Sequence, residues 1–250
     1  MNNILETIVA KLRPEVERRK RTLPLASDGF PAVPSFRAAM PGIIAEIKQA
    51  SPSKGLIRAE FQPLPLALEL EVSGAAALSV LTEPNYFLGS LERLTAIAAE
   101  VAIPVLRKDF IFDEYQILEA RHAGASAVLL IAAMLDQTSL LRLAEYARAL
   151  DLDVLGEAHN AEEVARLLDA PVTLVGVNAR NLATFATDLT VVEQLLARIP
   201  PERCPVAESA IRSAADIRRL REAGAQGFLI GETLMRAPSP GTKLRELLAS

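Results

Sequence analysis

The sequence predicts an α/β fold, a (β/α)8 TIM barrel with an extra N-terminal helix, and three observations predict it. First, short apolar runs bounded by turn residues occur eight times, at about 42–48, 76–82, 104–109, 126–132, 153–158, 173–178, 204–208 and 227–231. Second, amphipathic stretches lie between them, and strands alternating with helices pair in parallel. Third, "VSGAAALSVL" (72–81), "HAGASAVLLI" (122–131) and "EAGAQGFLIG" (222–231) echo one another, with Gly74, Gly124 and Gly224 spaced by 50 and then 100 residues. If one strand-plus-helix unit takes roughly 25 residues, those gaps are two units and four, which suits an even ring better than an open sheet. An open doubly wound sheet is the alternative, and no G-x-G-x-x-G follows the first strand to support it.

Taken in order, residues 1–41 are expected to form a helical extension, and residues 1–250 a single barrel domain. Ile4, Ile8 and Leu12 follow helical spacing, so this helix should pack on the barrel, and Pro14 should end or kink it. The "ERRKR" run at 17–21 reads as a solvated helix face or frayed end, with a phosphate or nucleic-acid contact as the lesser reading. The helical stretches "SLERLTAIAAEV", "DQTSLLRLAEYARAL", "NAEEVARLLDA" and "SAADIRRLREAGA" open with Ser90, Asp136, Asn160 and Ser213, residues suited to accept the free N–H groups of a first turn. Each of the three echoed glycines belongs at a left-handed helix C-terminus, a conformation that costs least without a Cβ.

Composition narrows the function. Of 250 residues, 50% are hydrophobic and 23% charged, so a large core is available. Mean hydropathy is +0.23 and the sequence pI about 5.4. A net charge of −4 gives no reason to expect a nucleic-acid partner. The N-terminal stretch lacks a signal-peptide core and no apolar run approaches membrane-spanning length, so a cytoplasmic protein with no membrane contact is expected. Cys204, the one cysteine, excludes an internal disulfide and reads as a buried small hydrophobe. His122 and His159 are too few and too far apart for a histidine metal cluster, so no metal is expected. Oligomeric state is not legible, and a monomer is the favoured expectation.

Catalytic groups of such a barrel come from the C-terminal ends of its strands. "IIAEIKQASPSKG" (43–55) offers Glu46 and Lys48, two apart and on one face, then Ser51, Pro52, Ser53 and Lys54. "IPVLRKDF" offers Arg107, Lys108 and Asp109; "DVLGEAH" offers Glu157; "LVGVNARNL" offers Asn178 and Arg180; "PVAES" offers Glu208 and Ser209. Charges brought into a partly dry mouth cost several kcal/mol each unless paired, so five strands doing so points to an acid–base active site. The loops after strands seven and eight are the usual barrel phosphate site, here with Ser209 and Gly231, and Arg180 could add a forked contact.

These motifs, with "LSVLTEPNYFLGS" and "LIGETLM", resemble indole-3-glycerol phosphate synthase of tryptophan biosynthesis, in order over residues 43–236. The resemblance implies closure of the indole ring of 1-(2-carboxyphenylamino)-1-deoxyribulose 5-phosphate, with loss of carbon dioxide and water and no cofactor. It implies catalytic roles for Glu46, Lys48, Lys108, Glu157 and Asn178. Ser51, Pro52, Phe87, Phe110, Arg180 and Glu208 would bind the substrate, and Ser209, Ala210, Gly231 and Glu232 its phosphate. Three departures stand out: Ala210 where the family has glycine, Ala179 in place of a common polar residue, and "LGEAH" around Glu157. Should position 210 require positive φ, alanine there costs about 1 kcal/mol or more. The alternatives are a barrel aldolase using a lysine Schiff base, an isomerase of a related phosphoribosyl compound, and a non-catalytic phosphosugar-binding barrel.

Overall fold

A computed structural model describes residues 4–30, 32–178, 180 and 188–249. Among them, eight parallel strands close a barrel in chain order, with the first hydrogen-bonded to the last. They are β1 (Gly42–Ile47), β2 (Ala77–Leu81), β3 (Val105–Lys108), β4 (Ala127–Ile131), β5 (Asp153–Ala158), β6 (Leu174–Asn178), β7 (Pro205–Glu208) and β8 (Gly227–Ile230). Around them run α1 (Ile4–Thr22), α2 (Pro63–Val72), α3 (Leu91–Ala98), α4 (Glu114–His122), α5 (Gln137–Ala149), α6 (Ala161–Leu168), α7 (Leu189–Leu196), α8 (Ala214–Glu222), the short α9 (Glu232–Met235) and α10 (Pro240–Leu248).

The strands read as unbroken apolar runs because both of their faces are buried. Alternation sorts their side chains into two cores. Ile44, Leu106, Leu129, Leu155, Leu174, Val206 and Leu229 fill the barrel interior, together with Cys204. Ile43, Ala45, Val80, Val105, Val128, Val154 and Ile230 face outward and pack under the helices. This parity matters for function, because the next inward residue on each strand must lie at the mouth.

Helix ends follow their local chemistry. Ser90, Asp136, Asn160 and Ser213 each accept a backbone N–H from their own first turn. Gly74, Gly124 and Gly224 take φ values of 98°, 83° and 104°, the left-handed conformation that lets each helix turn sharply into the next strand.

The N-terminal helix departs from expectation in two ways. Of the end or kink expected at Pro14, the end does not occur: the helix runs on to Thr22. An interior proline costs about 3 kcal/mol, but Ile8 and Leu12 before it and Val16 after it are all buried on one face. Burial of about 1.5–3 kcal/mol for each such side chain holds both halves in place. Nor is the basic run wholly solvated: Arg19 pairs with Glu119 at 2.6 Å and Lys20 with Asp113 at 2.8 Å, docking α1 along α4. The extension reaches both ends of the barrel. Leu5 and Ile8 sit at the mouth. Phe36 and Met40 join the interior core, while Asp153, the first residue of β5, accepts hydrogen bonds from Ser35 and the Arg37 N–H.

Candidate active site

The parity that buries Ile44, Leu106, Leu155, Leu174, Val206 and Leu229 delivers Glu46, Lys48, Lys108, Glu157, Asn178, Glu208 and Gly231 to the C-terminal end of the barrel. They line a cavity of about 470 Å³, shared with Ser51, Pro52, Phe87, Phe110, Arg180, Ser209, Ala210 and Glu232. Within it, Lys48 Nζ lies 2.5 Å from Glu46. Lys108 Nζ lies 2.6 Å from Glu208 and 3.0 Å from Glu157.

Two glycines make room for the carboxylates. A Cβ on Gly231 would stand 2.2 Å from Glu46 Oε1, and one on Gly176 would stand 2.2 Å from Glu208 Oε1. Gly231 therefore shapes the cavity beside Glu46 as well as the loop after β8. In the "LGEAH" flank, Gly156 faces outward, where a Cβ would meet Leu167 of α6 at 2.6 Å. That departure is a packing solution and leaves Glu157 in place.

The Lys108 cluster is strongly polarised. Burial alone would lower the lysine pKa, but the charges of Glu157, Glu208 and Glu46 outweigh it and hold Lys108 well above the ordinary lysine value. Burial pushes Glu157 up, yet Lys108 and His159 pull it well below the usual carboxylate range. Glu208 is left the other way: burial, partly offset by Lys108 but reinforced by Glu157, raises it to about 7. Its Oε1 is buried with no hydrogen-bond partner among the described residues. Neighbouring carboxyls with pKa values pushed apart are what an acid and a base working at one pH require.

Facing these charges is an apolar wall. The Phe87 and Phe110 rings lie 5.9 Å apart at 41°, and Leu5 and Ile8 of α1 complete the lining. Glu83, fully buried, accepts the N–H groups of Asn85, Tyr86 and Phe87 and so fixes the loop that presents the Phe87 ring. Sequence reasoning missed Glu83 and the α1 residues. Arg107, expected at the mouth beside Lys108, is instead on the outward face. There it pairs with Asp109 at 2.9 Å and Glu119 at 3.3 Å. Alternation from Leu106 puts Lys108 inside only if Arg107 is outside.

At the other end, "SPSKG" forms a small antiparallel hairpin, Ala50–Ser51 with Gly55–Leu56, over the site. Arg180 bonds Ser53 and stands 3.8 Å from Glu232, which also pairs with Arg236 at 2.9 Å. Asn178 Oδ1 accepts from Ser209 Oγ at 2.8 Å and from the Arg180 N–H at 3.0 Å. Ala179 lies outside the described residues. Ser209 and Ala210 have φ values of 67° and 61°, so the alanine does occupy a left-handed position. Left-handed backbone costs a residue with a Cβ about 1–2 kcal/mol, and glycine returns about 0.4–1 kcal/mol through its freer unfolded chain. Ala210→Gly should therefore raise the melting temperature by about 1–2 °C and lower KM. Unchanged values of both would dismiss strain at this turn.

Comparison with known proteins follows the same lines. Among solved structures, 3-hexulose-6-phosphate synthase matches with a TM-score of 0.66 at 18% identity, covering 83% of this chain and 98% of that one. A mutant tryptophan synthase α-subunit from Pyrococcus furiosus matches with a TM-score of 0.65 at 16% identity, covering 84% and 99%. At those identities the likeness is one of fold. Sequence relatives are nearer. Indole-3-glycerol phosphate synthase of Aliarcobacter butzleri is 51% identical over 79% of this chain and 75% of that protein. The enzyme of the same name from Campylobacter jejuni is 44% identical over 98% of this chain and 100% of its own length. With the family model for indole-3-glycerol phosphate synthase matching residues 5–247, the chain belongs to this family of carboxy-lyases of tryptophan biosynthesis.

Proposed function

We propose that ring closure of 1-(2-carboxyphenylamino)-1-deoxyribulose 5-phosphate is run by the Lys108–Glu157–Glu208 cluster, with Lys48 and Glu46 serving the later dehydration. The observation that carries this reading is one buried ammonium held between two carboxyls of opposite pKa shift. Lys108 protonates the ribulose carbonyl oxygen as the aromatic carbon attacks. So firmly held an ammonium releases its proton only to a strongly developing negative charge, which the forming alkoxide supplies. Loss of carbon dioxide then restores the aromatic ring. Lys48, ordered by Glu46, binds the substrate carboxylate and protonates the departing hydroxyl. Glu157, kept ionised, takes up the proton released on the way to the indole, and Glu208 holds a sugar hydroxyl.

Phe87, Phe110 and Pro52 hold the aromatic ring, Ser51 and Asn178 orient the chain between ring and phosphate, and Arg180 binds the phosphate. The N–H groups around Ser209, Ala210, Gly231 and Glu232 complete the phosphate cradle. All these groups come from one barrel, which supports a single-domain monomer with residues 1–41 as an integral extension. Among the described residues no helix is long and apolar enough to cross a membrane, and a biosynthetic enzyme of this family fits the cytoplasm. An aldolase-type Schiff base needs a lysine pKa far below normal, and Lys108 moves the other way.

Fluorescence detection of indole-3-glycerol phosphate tests the reading: turnover should proceed without added metal and persist in chelator. Absence of product with pure substrate would overturn it.

A further inference from the structure

His159 stands directly after β5 and lines no part of the cavity, yet it is bound on several sides. Its Nδ1 lies 3.1 Å from Glu163 Oε2, an atom that also accepts the His159 backbone N–H at 2.7 Å. The other oxygen of Glu163 accepts from the Asn160 side chain at 2.6 Å. On its far side, His159 Nε2 lies 3.3 Å from Glu157 Oε1, at ion-pair distance though out of line for a hydrogen bond. Glu157 thus has a different cation at each oxygen: Lys108 at Oε2, inside the cavity, and the imidazole at Oε1, behind it.

We propose that His159, clamped by Glu163, is a positioning residue that keeps Glu157 ionised and aimed while Lys108 gives up its proton. The need for it is electrostatic. Glu157 is faced by Lys108 from β3 and shares that lysine with Glu208 from β7, while Glu46 from β1 adds its own negative field. Once Lys108 is neutral, Glu157 and Glu208 have lost the cation they share, Lys48 being engaged by Glu46, and such a carboxyl pair ordinarily takes up a proton. His159 is a second cation that the reaction never discharges. Burial lowers its pKa, but Glu157 and Glu163 more than offset this and hold it at about 10, so the imidazolium persists at neutral pH. The alternative is plain helix capping, because Glu163 also sits in the first turn of α6.

The inference rests on Glu157 as the base, and a pH–rate series separates the two. Glu157→Gln should be inactive at every pH; an active variant would overturn the reading of Glu157 itself. His159→Gln keeps a side-chain donor but loses the charge. Its acid limb of kcat should move up by about one pH unit, while kcat on the neutral plateau and KM stay within about twofold of the parent. Glu163→Gln should move the limb the same way by less, and it carries the test should His159→Gln fold poorly. Added imidazole should restore the limb in His159→Ala. An inactive Glu157→Gln together with an unmoved limb in the His159 and Glu163 variants would overturn this proposal alone and leave α6 capping as the role of the histidine.

Discussion

Lys108→Ala should remove nearly all turnover, with kcat falling on the order of 10³-fold, in the range expected for loss of a general acid. A second effect accompanies the missing proton donor. Glu157 and Glu208 are left facing each other in a buried site, and the cheapest response is for Glu208, already at about 7, to protonate fully. The carboxyl pair then settles into a different charge state, so the geometry that remains is also wrong for the base. Protonation of Glu208 limits the cost to stability below the 3–5 kcal/mol typical of a broken buried pair. Single-turnover fluorescence, with thermal unfolding of the same sample, separates lost chemistry from lost fold. Full activity in a folded Lys108→Ala protein would eliminate Lys108 as the acid.

Arg107→Met should cost stability in the opposite proportion: about 3–5 kcal/mol, lowering the melting temperature by roughly 10 °C. Its guanidinium is almost wholly buried, pairs with Asp109 and Glu119, and donates to the Gln116 carbonyl at 2.6 Å and to Thr82 Oγ1 at 3.2 Å. Methionine fills the stem volume, so the loss isolates buried Asp109 without its cation and leaves Glu119 with Arg19 alone. Catalysis should suffer through position. Asp109 accepts the Phe110 N–H at 2.8 Å, and Gln116 donates to the Phe110 carbonyl at 3.0 Å, so the network sets the ring that faces Phe87. KM should rise several-fold while the acid limb of kcat stays where it is. A melting temperature within a degree of the parent would show that this network is dispensable.

Much of the architecture was legible because it rests on short-range rules. Ser90, Asp136, Asn160 and Ser213 cap their helices as their side chains dictate, and Gly74, Gly124 and Gly224 turn left-handed as expected. Burial, in contrast, overrode Pro14, whose local cost is smaller than the sum of the contacts on either side. Arg107 was misplaced although the signal was present: Leu106 and Lys108 share one face, and the residue between them cannot.

By itself the sequence determined the strand count, the shared face of Glu46 and Lys48, and the strand ends that carry Lys108, Glu157 and Glu208; that Ala210 sits at a left-handed φ of 61° came from the structure. Only the tertiary structure decided who pairs with whom. Lys48 meets its own strand neighbour Glu46, a contact that local geometry supplies. Lys108 meets Glu157 and Glu208 from β5 and β7, at sequence separations of 49 and 100 residues. Side chains from alternate strands share a layer in a closed barrel, so these contacts exist only once the ring is shut. His159 takes its carboxylates locally instead, Glu157 two residues before it and Glu163 four after, so that contact does not wait for the ring to close.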